Sequence, residues 1–143
     1  MNRKMNKFLV PALVCTAVLW AGGVLAGPVL IGHPGIPADS LPEGDVQKVF
    51  LGKTGTWSDG SRVVLSMVDR DDLSDAFFKA YVKKSPKQFT TFWKKAVFSG
   101  TGEMPSEFAT EAELVAFVAA TPGAVGYIDE ATAHDGVKVI AIQ

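Results

Sequence analysis

The hydrophobic pattern of the chain changes from a strand-like run to a helix-like spacing between Arg62 and Tyr81. Residues 62–68 are β-branched and mainly apolar, which is typical of a strand buried on both faces. Four charged residues at 69–72 interrupt this run. Apolar side chains then recur at the spacing of one helix face: Leu73, Ala76, Phe77, Ala80 and Tyr81. We therefore predict a strand, a charged turn and a helix, with Asp72 and Ser74 placed to cap the first helical turn.

Similar patterns predict the other elements. A first strand is expected at 28–32 and two closing strands at 124–128 and 137–142, the last preceded by an Asp-Gly turn. Capping-box sequences predict helices that begin after Ser40, Ser85 and Thr110, and Gly52 is placed to end the first of them. Because helices separate short apolar strands, we expect an α/β layer structure with a mostly parallel sheet flanked by helices.

The amino-terminal segment has the three parts of a secretory signal peptide. Basic residues at 3, 4 and 7 precede an uncharged, mainly apolar stretch from Phe8 to Leu25, and small residues follow. We predict that residues 1–26 are a signal peptide cleaved after Ala26, which makes the protein periplasmic or secreted. An uncleaved membrane anchor is the alternative, since the apolar stretch approaches the length of a membrane span.

Residues 27–143 then form one domain without cysteine, because Cys15 lies in the leader. This part has 11 basic and 15 acidic residues, so it lacks the basic excess of a nucleic-acid-binding protein. Membrane contact is expected only through the signal peptide. Five lysines cluster in a short stretch, either as a solvated face or as a docking or anion-attracting surface: Lys83, Lys84, Lys87, Lys94 and Lys95.

Enzymatic and metal-binding motifs are incomplete. Gly52-Lys53-Thr54 ends like a phosphate-binding P-loop, but position 47 is glutamine instead of the required glycine. The two histidines, His33 and His134, have no second ligand at metal-binding spacing and adjoin no nucleophile motif. We therefore predict a non-enzymatic protein with no metal and no cofactor.

Three segments of the sequence resemble the phosphate-binding proteins of bacterial ABC importers. Residues 49–54, with Trp57 and Asp59, are similar to the family's Phe-Leu-Gly-Lys-Ile … Trp-Asn-Asp segment, and residues 121–128 are similar to its Thr-Pro-Gly-Ala-Ile-Gly-Tyr-Val segment. Residues 70–76 lie where the family carries its anion loop, Arg-x-Asp-Gly-Ser-Gly-Thr. The first and third segments keep the family's order, and the resemblance covers nearly all of residues 27–143.

The resemblance implies one lobe of a type II periplasmic-binding-protein-like fold. It also implies a phosphate or oxyanion site in which Arg70 is the charge partner, Asp72 orients Arg70 and Ser74 donates a hydrogen bond. Two residues depart from the loop pattern, because Asp75 replaces a glycine and Ala76 replaces a threonine donor. A carboxylate at position 75 repels a phosphate dianion.

The length of the chain is a further departure, because complete members of the family close two lobes on the ligand. A second lobe or another protein partner would have to complete the site. We predict an exported phosphate-binding or oxyanion-binding protein related to the substrate-binding component of a phosphate ABC transporter. The alternative is an interaction or structural module that keeps the fold without the ligand. An Asp75 side chain that caps its own helix would favour the alternative. So would an Arg70 buried in a salt bridge with Asp72, with no open pocket beside Ser74.

Overall fold

The computed structural model describes residues 27–143, so the predicted signal peptide and its cleavage site lie outside the described residues. Six strands form one sheet: β1 Pro28–Gly32, β2 Ser40–Leu41, β3 Val64–Val68, β4 Ser106–Phe108, β5 Ala124–Asp129 and β6 Lys138–Ile142. Four α-helices pack with it: α1 Glu43–Phe50, α2 Asp71–Phe77, α3 Pro86–Phe98 and α4 Glu111–Ala120. A π-helical turn, Phe78–Val82, continues α2.

The strand order is β2-β6-β1-β5-β3-β4. β1 runs antiparallel to both of its neighbours, β5 and β6, whereas the other three pairings are parallel. The sheet is therefore mixed, with β1 as the one strand that runs against the other five described strands. The predicted α/β arrangement with a mostly parallel sheet is confirmed.

Two of the predicted helix starts are confirmed. The Ser85 hydroxyl accepts a hydrogen bond from the Gln88 backbone N–H at 3.1 Å, and the Gln88 side chain accepts one from the Ser85 N–H at 3.0 Å. Thr110 caps α4 by accepting from the Glu113 backbone N–H at 3.2 Å. Gly52 has a φ of 71° just beyond α1, as expected for a helix terminator.

Two predicted caps are wrong. α1 begins at Glu43 rather than after Ser40, because residues 40–41 pair with β6 and take their backbone partners from the sheet. The α2 helix has Arg70 at its N-cap position with extended backbone and no side-chain cap, so Asp72 and Ser74 do not cap it. Both side chains are engaged elsewhere, as described below.

Aromatic side chains from α1, α2, the π-helical turn, α3 and β5 form the centre of the core. The Phe77 ring stacks on Tyr127 with centroids 4.5 Å apart and planes 11° apart. Phe78 stacks on Phe89 at 4.6 Å, and Phe50 contacts Phe77 at 5.0 Å. All of these side chains are fully buried. The cluster fixes α2 against the sheet, and with it the turn that precedes α2.

Gly123 fixes the start of β5 against the start of β3. Its φ is 79°, and a Cβ atom there would lie 2.1 Å from the Arg62 carbonyl oxygen. The Gly123 carbonyl accepts hydrogen bonds from the Val64 backbone N–H at 3.1 Å and from the Trp57 indole at 3.0 Å. The motif at 121–128 therefore has a structural role in this chain.

The described strands and the buried core lie within residues 28–142. We therefore expect residues 27–143 to fold by themselves. Among these residues, none of the helices has the length and apolar character needed to cross a membrane.

Candidate functional site

The anion-loop residues lie at the edge of the sheet where parallel strands end. β3 leads into Arg70, β5 ends at Asp129, and α4 begins at Glu111 after β4. Since β3 is parallel to both β4 and β5, the carboxyl ends of all three strands share this edge. Ligands of open α/β sheets bind outside the carboxyl ends of the strands. The structure therefore puts Arg70 where a ligand contact is expected.

Carboxylates surround the Arg70 guanidinium. Nε and Nη2 donate to the two oxygens of Asp72, each at 3.0 Å, which is a bidentate pair. Nη1 donates to Glu111 Oε2 at 3.0 Å. The Asp129 carboxylate lies 3.7 Å from Nη2. One positive charge thus faces three negative charges, which makes this edge repulsive to an anion.

The three carboxylates differ in exposure. The Asp72 side chain is 56% exposed, whereas those of Glu111 and Asp129 are 14% and 9% exposed. The bonds to Asp72 and Glu111 raise the pKa of Arg70, and the bond from Arg70 lowers the pKa of Asp72. Asp72 is therefore the outer partner of Arg70, and the other two hold it from the protein side.

Ser74 lies on the inner side of α2. It is 6% exposed, and its hydroxyl donates to the Val68 carbonyl at 3.1 Å and shares a 2.7 Å hydrogen bond with the Tyr127 phenol. Burial raises the pKa of Tyr127 to about 12. The Ser74 hydroxyl thus accepts from the buried Tyr127 phenol and donates its one proton to the Val68 carbonyl, so an incoming anion would have to break the bond to Val68 to use it.

The two departures in the loop lie on the outer side of α2. Asp75 and Ala76 are exposed. Asp75 does not cap its helix, since no side chain caps α2. The first of the two features that would favour the ligand-free alternative is therefore absent. The second is met in part, because Arg70 pairs with Asp72 but its side chain is 33% exposed and a cleft lies beside Ser74.

A small cleft lies beside the loop, between the end of β3 and the start of α3. Its volume is about 170 Å³, and Arg70, Ser74, Lys87 and Thr90 line it together with three acids. These acids are Asp69, Asp71 and Glu107. The lysine is the one cation of the lining that has no ion pair among the described residues. The lining thus carries three acids against two bases, and the remaining residues are uncharged.

Sequence reasoning missed Glu111 and Asp129 as partners of Arg70. Glu111 stood in a recognised capping sequence, and Asp129 directly follows the predicted strand 124–128. The available signal was topological, because charged residues that end or follow parallel strands meet at one edge. Within the described part of the chain, no group of three His, Cys, Asp or Glu side chains could hold a metal ion.

Comparison with known proteins identifies the fold. The sequence matches no protein-family model and no curated protein. Among solved structures, the chain is similar to a protein assigned as a phosphate ABC transporter substrate-binding protein, with bound phosphate, from Clostridium perfringens. That match has a TM-score of 0.61 at 17% identity, over 81% of this chain and 44% of that one.

Two further solved structures agree with this match. An ABC-type phosphate transport receptor from Vibrio cholerae matches with a TM-score of 0.55 at 12% identity, over 81% of this chain and 46% of the receptor. PstS from Borrelia burgdorferi matches with a TM-score of 0.54 at 13% identity, over 82% and 47%. The chain thus spans less than half the length of these proteins. Its fold resembles one lobe of a phosphate ABC transporter substrate-binding protein.

Proposed function

We propose that this chain is an exported, non-enzymatic lobe on the fold of phosphate-importer binding proteins, and that it acts through contact with another molecule without holding phosphate by itself. The observation that carries this proposal is the state of Arg70. Its guanidinium already donates to Asp72 and Glu111 and lies 3.7 Å from Asp129. This is the interaction-module alternative of the sequence analysis.

The electrostatics of the edge support this choice. A phosphate would have to displace Asp72 and would then face Glu111 and Asp129, which stay on the protein side of Arg70. Two like unit charges about 4 Å apart repel by ~1 kcal/mol in water and about four times that near a protein surface. Few side chains are also available to donate hydrogen bonds to a phosphate, since Ser74 faces inward and position 76 is alanine.

Export is part of the proposal and rests on the pattern of residues 1–26. The non-enzymatic part rests on the incomplete catalytic motifs, and the solved structures most relevant to the fold are described as binding or transport proteins. Amino-terminal sequencing of protein recovered from the producing cell would test export, with a start at Gly27 as the expected result.

A phosphate titration tests the central claim. The melting temperature of residues 27–143 should stay flat up to tens of millimolar phosphate, and sulfate should act identically. A ligand at a hundred times its Kd stabilises a fold by about 2.7 kcal/mol, which is on the order of 10 °C for a domain of this size. A phosphate-specific rise that Arg70→Ala abolishes would overturn the proposal.

A second candidate is a phosphate site that a second lobe completes. The exposed position of Asp72 favours it, because a phosphate can replace a carboxylate as the bidentate acceptor of an arginine. Asp72→Asn removes the competing charge and leaves the inner partners of Arg70 in place. A phosphate-dependent rise in the melting temperature of this variant, absent from the wild type, would support the second candidate. A flat curve for both proteins would support the interaction module.

A further inference from the structure

The charge of the described domain is strongly uneven along the chain. Residues 76–102 contain six lysines and no acidic residue, whereas the rest of the domain contains all 15 acids and five basic residues. Lys83 is the one lysine of this segment that forms an ion pair within residues 27–143, with Glu43 at 2.6 Å. The domain therefore has a basic region although its net charge is negative.

Helix α3 carries three of these six lysines on one exposed stripe. Lys87, Thr91, Lys94, Lys95 and Phe98 are all exposed, and they lie at i, i+4, i+7, i+8 and i+11 along the helix. Residues at these spacings share a helix face. The opposite face packs through Phe89 and Trp93 into the core. We call these five residues the lysine stripe.

Phe98 is the most unusual member of the stripe. It is 95% exposed, more than any other large apolar residue of the described domain. Next to the stripe, Lys84, Lys87, Gln88, Thr91, Phe92 and Lys95 line a shallow depression of about 360 Å³. The surface therefore combines cations that form no ion pair in the described domain with one almost fully exposed aromatic side chain, Phe98.

We propose that the lysine stripe docks the domain on an anionic lipid bilayer, with Phe98 inserted among the headgroups. This inference rests on the proposal that the chain acts through contact with another molecule. It adds a membrane contact to the one expected from the signal peptide. Lysine is depleted in protein–protein interfaces, whereas clusters of lysines are attracted to anionic lipid surfaces. The depression between three lysines also suits a lipid phosphate.

The orientation of the domain on the bilayer follows from the charge asymmetry. The acids paired with Arg70 belong to the turn after β3, the start of α4 and the end of β5. Of the stripe residues, Lys87 adjoins this edge, because it lines the cleft beside Arg70, and the others lie farther along α3. A bilayer would attract α3 and repel the acidic edge. Both effects weaken with salt, since the Debye length falls to about 3 Å at 1 M.

Vesicle co-sedimentation of residues 27–143 tests the proposal. The domain should bind vesicles of phosphatidylglycerol and phosphatidylcholine at low salt, and should not bind pure phosphatidylcholine vesicles. Each lysine near an anionic surface contributes roughly fivefold to binding. The double variant Lys94→Gln, Lys95→Gln should therefore bind about 25-fold more weakly, and Phe98→Ser about tenfold more weakly.

Matched controls separate the stripe from total charge. The double variant Lys48→Gln, Arg62→Gln removes the same charge from residues that are already ion-paired. Val139→Ser removes an exposed apolar side chain of β6. Both controls should bind vesicles nearly as well as the wild type. All six substituted positions in these four variants are exposed, and unchanged melting temperatures would confirm folding.

Three outcomes would overturn the proposal. These are absent binding to the anionic vesicles at low salt, equal losses in the stripe and control variants, and binding that resists high salt. Dimerisation that the stripe variant abolishes, without vesicle binding, would assign the stripe to the acidic edge of a second copy. The phosphate titration is independent, so a rise there would refute the ligand-free function and leave this result unaffected.

Discussion

Arg70 and Glu111, 41 positions apart in the chain, are joined by a 3.0 Å hydrogen bond between Nη1 and Oε2. The other oxygen of the same carboxylate accepts the backbone N–H of Asp129 at 2.6 Å. One side chain therefore connects the turn after β3, the first residue of α4 and the end of β5. This connection joins three elements at one edge of the sheet and gives Arg70 counter-charges from within the domain.

Replacing Glu111 should destabilise the domain. Glu111→Gln removes the charge that faces Arg70 and puts an amide N–H₂ group where the guanidinium requires an acceptor. Since hydrogen bonds to charged groups contribute about 1.5–3 kcal/mol, we expect a loss of about 2 kcal/mol, or roughly 10 °C in melting temperature. Urea denaturation and thermal melts measure this loss.

Glu113→Gln is the matched control for Glu111→Gln. It lies in the same first turn of α4, so it experiences the same helix dipole, but its side chain is exposed and forms no ion pair within the described domain. Its melting temperature should change little. Equal losses in the two variants would mean that the bond to Arg70 contributes nothing.

The Arg70–Asp72 pair should make stability depend on acid pH. The bond from Arg70 lowers the pKa of Asp72 below its ordinary value of 3.8. As the pH falls through this value, the unfolded chain binds the proton before the folded chain does, so stability is lost on the acid side and retained above it. Asp72→Asn should therefore lower the melting temperature at neutral pH, and the difference should shrink as the pH falls below about 4.

The Arg70→Ala background provides the control for this effect. Without the guanidinium, Asp72→Asn should no longer change the acid dependence of the melting temperature. Thermal melts from neutral to strongly acid pH give the melting temperatures of the two pairs to be compared. The first pair is the wild type and Asp72→Asn, and the second is Arg70→Ala and the double variant Arg70→Ala, Asp72→Asn. An unchanged difference at all pH values would contradict the role of the ion pair.

Tyr127 should produce the opposite dependence at alkaline pH. Burial raises its pKa to about 12, whereas the phenol of the unfolded chain titrates near its ordinary value of 10.0. Between these values the folded protein retains a proton that the unfolded chain has lost, so stability falls as the pH rises from 10 towards 12. The loss reaches roughly 2–3 kcal/mol at the upper end of this range.

Tyr127→Phe tests the alkaline prediction. It keeps the ring that stacks on Phe77 and removes the hydroxyl bonded to Ser74. We expect a loss of about 1 kcal/mol at neutral pH and a flatter alkaline profile. Ultraviolet absorbance of tyrosinate follows the ionisation directly. An ionisation of Tyr127 near pH 10 in the folded wild type would refute the prediction.

Local patterns were sufficient to predict most of the fold. Ser85 and Thr110 cap their helices as expected, because a capping box acts between residues three positions apart. The mistaken start of α1 has a tertiary cause. Residues 40–41 pair with β6 about a hundred positions later, and no local pattern contains that partner.

The candidate site was predictable only in part, for the same reason. Arg70 and Asp72 are two positions apart, and they pair as the resemblance implies. Ser74 was expected to donate to a ligand, but its hydroxyl lies against Tyr127, 53 positions away. Glu111 and Asp129 complete the surroundings of Arg70 through strand order, which sequence spacing does not encode. The role of Arg70 as a ligand contact stays a prediction.

Gly123 gives a final prediction, because two separate constraints act on it. Its φ of 79° is strained for any residue with a Cβ, and that Cβ would lie 2.1 Å from the Arg62 carbonyl oxygen, which belongs to the backbone and has no free rotamer. Gly123→Ala should therefore displace β5 from β3 and weaken the bonds from Val64 and Trp57. We expect a cost of more than about 3 kcal/mol.

Gly60→Ala separates these two constraints. Gly60 also has positive φ, 84°, but nothing lies within 4 Å of a Cβ built there. This control should lose only the roughly 1–2 kcal/mol of left-handed backbone strain. Thermal and urea melts of both variants measure the difference. Equal losses would show that the contact with the Arg62 carbonyl relaxes without cost. The motif at 121–128 would then not be needed to join β3 to β5.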